Sequence, residues 1–79
     1  TKIAFDVPAG TGPRRIVLAI YDVKGRRIRT LVDAMLNPGR HVEIWRGDTD
    51  AGEPVASGVY FSVLRIGNEE IRRKMAFIR

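Results

Sequence analysis

The 79-residue chain has no cysteine, one histidine and one tryptophan. Without thiols there is no disulfide framework, and a zinc site would have to combine His41 with carboxylates alone, a weak donor set. The missing cysteines do not fix a compartment. They suit a reducing cytoplasm, and equally a bacterial surface protein that does without disulfides. No apolar run approaches the roughly 18 residues of a membrane-spanning helix, and no charged-then-apolar leader is seen. Neither a Gly-x-Gly-x-x-Gly string nor a phosphate loop ending in Lys-Ser or Lys-Thr occurs. Ser57, His41 and an aspartate could be named as a triad, but such triads are defined by geometry and the spacing gives no support. The reading is non-catalytic, with no cofactor and no metal.

Helical periodicity is also scarce: Gly or Pro interrupts every dozen-residue window that begins one. Strand signals instead recur about every ten residues between turn signals, the pattern of an all-β sandwich or barrel. Ile3, Phe5 and Val7 alternate with Lys2, Ala4 and Asp6. Pro8–Pro13 reads as a loop. From Arg15 to Val23 both faces are largely apolar, with Ile16, Leu18 and Ile20 opposite Val17, Ala19 and Tyr21, which predicts a central strand. Gly25 sets a tight turn. A shorter strand follows over Ile28–Asp33. Its apolar residues Ile28 and Leu31 are three apart, which implies a bulge or an edge position. Ala34–Gly39 reads as a loop, His41–Arg46 as a strand, and Gly47–Gly58 as the longest polar connection. Val59–Ile66 and Glu70–Ile78 are the last two strands, turned at Gly67-Asn68. About seven strands in one domain over residues 1–79 are expected. A chain beginning at Thr1 is read as a domain cut from a longer protein.

Fourteen Lys and Arg against nine Asp and Glu leave a net charge of +5. The excess is clustered at Lys24, Arg26, Arg27 and Arg29, at Arg14 and Arg15, and at Arg72, Arg73, Lys74 and Arg79. Such clusters serve either as solvated strand faces or as contacts for an acidic partner. An RNA-binding sheet would interleave aromatics with cations on one open face. Here the basic clusters carry only Phe77 nearby, so nucleic acid is not expected as a partner.

Two further candidates come from the polar connection. Asp48, Asp50 and Gly52 resemble the start of a calcium loop, but the twelfth position, where a bidentate Glu is required, is Val59. The two aspartates are expected to bind backbone N–H groups and fix the turn. Trp45 is read first as a core anchor and second as a sugar-stacking platform. His41 is expected to be an exposed residue at a strand start.

In order along the chain stand "IAFDVP", "LAIYDVKGRRIRTLVD", "NPGRHVEIWRGDTDAGEPVASGVYFSVLR" and "RRKMAFIR". This series resembles the Ig-like domain found in the flagellar hook-capping protein family. It is similar too to the C-terminal sorting domains of secreted bacterial proteins read by the type IX secretion machinery. The most specific parts are Tyr21-Asp22 with Gly25-Arg26, Trp45 with Gly47, Asp50 with Gly52, and Ala56–Phe61. Arg46 departs from the acidic or amide residue usual after the tryptophan, and Glu43 stands where relatives often carry an apolar residue. The resemblance implies an Ig-like or fibronectin III-like antiparallel β-sandwich. It implies the C-terminal module of a longer protein, a secreted or cell-surface location and a role in sorting, anchoring or spacing. Its partner would be a protein: secretion or surface machinery, or an upstream domain of the same chain. Arg72, Arg73, Lys74 and Arg79 are then the partner-contact candidates. Gly58 is expected to let a strand approach closely, and Tyr60 to anchor a loop through its hydroxyl. The alternatives are a carbohydrate-binding accessory module using Trp45 and a structural domain of a hook-capping protein.

Overall fold

A computed structural model describes residues 1–10 and 12–79. Among these lie six strands and no helix: β1 Lys2–Val7, β2 Arg14–Tyr21, β3 Arg27–Leu36, β4 Gly39–Ile44, β5 Gly58–Ile66 and β6 Glu69–Phe77. Six are described where the spacing predicts about seven. The loop expected over Pro8–Pro13 is seen at both ends, and Thr11 lies outside the described residues.

The strands form two antiparallel sheets, one of order β3-β2-β5-β6 and one of order β1-β4. The chain crosses between them after β1, after β3 and after β4, and two hairpins stay within the larger sheet. In the first hairpin Gly25 takes φ +79° and donates to the Asp22 carbonyl. Asp22 Oδ1 also accepts from the Lys24 and Arg26 backbone N–H groups, and Oδ2 accepts from Arg26 Nε. The Arg26 backbone donor acts most strongly, and with the Arg26 guanidinium and the Lys24 N–H it outweighs the opposing desolvation and holds the Asp22 carboxyl below the usual aspartate range. In the second hairpin Gly67 is at φ +59°, while Asn68 stays at negative φ. A glycine at the first central position suits a type II′ turn.

Strand β2 sits between β3 and β5. Ile16, Leu18 and Ile20 are buried on its inner face and Ala19 on its outer one, as the two apolar faces predict. Strand β3 runs three residues beyond the expected end at Asp33. Met35 and Leu36 pair with Arg15 and Arg14, so the expected Ala34–Gly39 loop shrinks to Asn37-Pro38. Backbone pairing to β2 prolongs this edge although Ala34 and Met35 bury little. The irregular spacing of Ile28 and Leu31 has a direct cause. Leu18 faces Val32 while Ala19 faces Thr30, and Ile20 faces Arg29 while Tyr21 faces Arg27. Leu31 and Ile28 are therefore the two bulged residues, and both pack into the core.

Strand β4 ends at Ile44, two residues before its expected end, although the Trp45 N–H still donates to the Thr1 carbonyl. Its apolar face points outward: Val42 and Ile44 are 53% and 52% exposed. Glu43 and His41 are half-buried instead. His41 is thus not the exposed residue expected. Its ring stacks on Phe5 at 5.5 Å and its Nε2 meets the Asn37 carbonyl.

Two apolar clusters hold the layers together. Phe5, Val7, Ile16, Leu18, Val32, Leu64 and Ile66 form the first. Ile20, Trp45 and Tyr60 form the second, flanked by Met75 and Phe77 from β6.

Candidate functional site

Three of the four residues expected to meet a partner, Arg72, Arg73 and Lys74, lie on β6, which among the described strands is bonded only to β5. Successive side chains of a strand point to opposite faces. Met75 and Phe77 pack inward, so Arg73 shares their face while Arg72 and Lys74 stand on the outer one. The four cations expected to act together are therefore divided.

Arg79 lies two residues beyond the end of β6. Its Nε donates to the Val55 carbonyl at 2.7 Å and one terminal nitrogen donates to the Gly47 carbonyl at 2.6 Å. Its backbone N–H donates to Ser57 Oγ, and its guanidinium lies 5.3 Å from the Phe77 ring centre. Arg79 latches the long connection onto the end of β6. Two of its guanidinium nitrogens are thus engaged within the domain, a structural role beside the partner contact expected of it.

The same connection is tied at further points. Trp45 Nε1 donates to the Asp48 carbonyl, and the Tyr60 hydroxyl donates to the Ala56 carbonyl at 2.6 Å, the anchoring role expected of Tyr60. Asp50 Oδ1 accepts from the Thr30 N–H of β3, and Asp48 lies 3.7 Å from Arg29. Both carboxylates are used in holding the loop to the sheet. Among the described residues, no three His, Cys, Asp or Glu side chains gather as a metal site.

Trp45 is 0% exposed. Tyr60 meets it edge-on at 5.1 Å and Phe77 at a tilt at 5.0 Å. No ring face is left for a sugar, so the stacking role is corrected and the core-anchor reading holds. Gly47 is at φ +73°, and a Cβ there would meet the Phe77 ring at 2.0 Å. Gly58, expected to permit a close approach, has only Tyr60 at 4.0 Å from such a Cβ. Close packing is therefore a property of Gly47.

The outer face of the larger sheet holds an arrangement that the sequence does not announce. Register aligns Arg27 with Tyr21, Tyr21 with Phe61, and Phe61 with Lys74. Two half-buried aromatics thus form one row across four strands, with a cation at each end. In the next row Arg72 faces Val63, and its guanidinium lies 5.9 Å from the Phe61 ring centre. The expectation that the basic clusters have only Phe77 nearby is therefore revised. Each strand shows its alternation in sequence, but only pairing brings Tyr21, Phe61, Arg72 and Lys74 side by side. Arg72 also lies 3.8 Å from Glu70, which bonds Arg65, and these exposed pairs contribute little to stability.

Comparison of the chain with family models, with curated proteins and with solved structures gave no match.

Proposed function

We propose that this chain is a non-catalytic, Ig-like β-sandwich module of a secreted or cell-surface bacterial protein, acting in sorting or anchoring. The observation that carries this reading is the placement of Arg72 and Lys74. Both are exposed and stand on the outer face of a hydrogen-bonded edge strand, beside Phe61, which faces Tyr21 on its other side. A cation held on a sheet loses less freedom on binding than one on a loose tail. An amphipathic face of aromatics and cations suits a protein partner with acidic and apolar residues, because aromatic and arginine anchors dominate such interfaces. The ordered motifs from Ile3 to Arg79 support the same reading.

The test is secretion of the parent protein carrying Arg72→Glu and Lys74→Glu, compared with the unaltered protein. Both positions are exposed, so circular dichroism of the domain should be unchanged. Retention of the variant within the cell envelope is expected. Export at the normal level by a correctly folded variant would overturn the reading.

A further inference from the structure

The smaller sheet has two strands and covers the larger one incompletely. Beside β1 a groove of about 400 Å³ opens, lined by Ile3 and Phe5 of β1, Leu18 of β2, Leu64 of β5, and Ile71 and Arg73 of β6. Its floor is the inner face of β5 and β6, where Ile71 remains 43% exposed. This is a place where a sandwich of two full layers would carry another strand.

The wall of the groove is a free strand edge. Thr1 and Trp45 exchange both backbone hydrogen bonds, at 2.9 and 2.8 Å. In an antiparallel ladder, residues that exchange bonds alternate with residues that do not. The register places Ile3 opposite Glu43 and Phe5 opposite His41. These are the exchanging pairs, so Lys2, Ala4 and Asp6 turn their N–H and C=O groups away from β4. Those groups form a row along the open side of β1, spaced to accept one more strand.

Charge selects the occupant. Arg40 and Arg73 line the groove, and Lys2 flanks its neighbouring end. The one carboxylate in the lining, Asp6, lies 3.5 Å from Arg40. A second copy of this chain fits poorly. It carries the same +5 charge, and it would bring its own four-stranded sheet where there is room for one strand. We infer that the groove beside β1 binds an extended segment of a partner protein in which apolar residues alternate with acidic ones. The segment adds to β1 through the backbone of Lys2, Ala4 and Asp6. Its apolar side chains cover Leu64 and Ile71, its carboxylates point to the face that Lys2 and Arg40 share, and Arg73 adds positive charge to the groove wall. This inference does not depend on the export role, because it concerns the opposite face of β6 from Arg72 and Lys74.

The probe is a capped, fluorescent octapeptide of alternating valine and glutamate, titrated against the whole domain. Saturable binding that weakens with salt is expected, with backbone amide shifts centred on Lys2, Ala4 and Asp6. The same peptide with lysine for glutamate, or with proline at alternate positions, should not bind. Ala4→Pro removes only an outward N–H, a change that edge strands tolerate, and should abolish binding. Arg73→Glu should weaken it by about tenfold or more, as reversal of a partly desolvated charge contact does. Trp45 fluorescence reports whether each variant remains folded. If Ala4→Pro unfolds, Arg73→Glu and the amide shifts still decide the matter. Four results would overturn the inference: no binding of the glutamate peptide, equal binding of the lysine or proline peptides, shifts confined to the outer face, or dimerisation through β1 in place of peptide binding. Competition by oligo-deoxythymidine at the same amides would overturn it too, since that would assign the groove to polyanions rather than to a strand.

Discussion

Arg79 donates a hydrogen bond to the carbonyl of Gly47 at 2.6 Å across 32 positions of sequence. A second donor of the same guanidinium reaches Val55, so one side chain joins both ends of the loop fold to β6. This contact changes the meaning of the basic tail. Part of it serves as a structural latch.

Loss of the latch should show locally. Arg79→Ala removes two charge-assisted bonds of a kind that contributes about 1.5–3 kcal/mol when shielded. Arg79 is exposed, so about 1 kcal/mol is expected. Amide exchange at Val55, which donates to the Gly47 carbonyl, should speed up more than exchange within β2. Unchanged exchange at Val55 would show that the latch carries no stability.

The two glycines that flank the loop should behave oppositely. Gly47→Ala places a methyl group into the Phe77 ring at positive φ, where the backbone penalty alone is about 1–2 kcal/mol. Gly58→Ala meets only Tyr60, at an ordinary contact distance of 4.0 Å and without a positive φ, and should be neutral or slightly stabilising, by up to about 1 kcal/mol. Urea midpoints of the two variants give the comparison. Equal effects would contradict the placement of Phe77 over Gly47.

Trp45 and Tyr60 should be separable by severity. Trp45→Ala removes a fully buried ring and should cost about 3–5 kcal/mol. A single core in a chain of this size supplies about as much in total, so the variant should lose its cooperative unfolding transition. Tyr60→Phe keeps the packing and loses only the bond to Ala56, at a cost of about 1 kcal/mol. A cooperative, near-native melt for Trp45→Ala would count against its place in the core.

The Asp22 turn gives an acid-side signature. The folded pKa lies below the unfolded value, so the contribution of the carboxylate is fully present above the ordinary aspartate range, near pH 3.9. It is lost as pH falls through the lower folded value. An NMR titration should place Asp22 below the ordinary value. Titration at or above it would mean that the Lys24 and Arg26 donors do not engage the carboxylate.

Much of the strand plan was legible from alternation and turn chemistry. Ile16, Leu18 and Ile20 marked the central strand, and Gly25 and Gly67 marked the hairpins. The three-residue spacing of Ile28 and Leu31 pointed to a bulge or an edge position, and β3 has both. Three things were hidden because they depend on partners distant in sequence. The extent of β3 is set by backbone pairing of Met35 and Leu36 rather than by their burial. The outward direction of Val42 and Ile44 follows from Trp45 being drawn into the core. The division of Arg72, Arg73, Lys74 and Arg79 among an outer face, a groove and a latch follows from register and chain path. A charge cluster in sequence therefore indicated a basic strand but not its site.

The account rests most heavily on β6 being paired, in this register, against β5. The two-residue turn makes Ile66 and Glu69 a bonded pair, so Phe61 with Lys74 and Val63 with Arg72 are non-bonded pairs with closely spaced α-protons. Strong α-proton to α-proton NOEs are predicted between Phe61 and Lys74 and between Val63 and Arg72. Random-coil shifts over residues 69–77, or these NOEs displaced by one residue, would contradict both the displayed face and the groove.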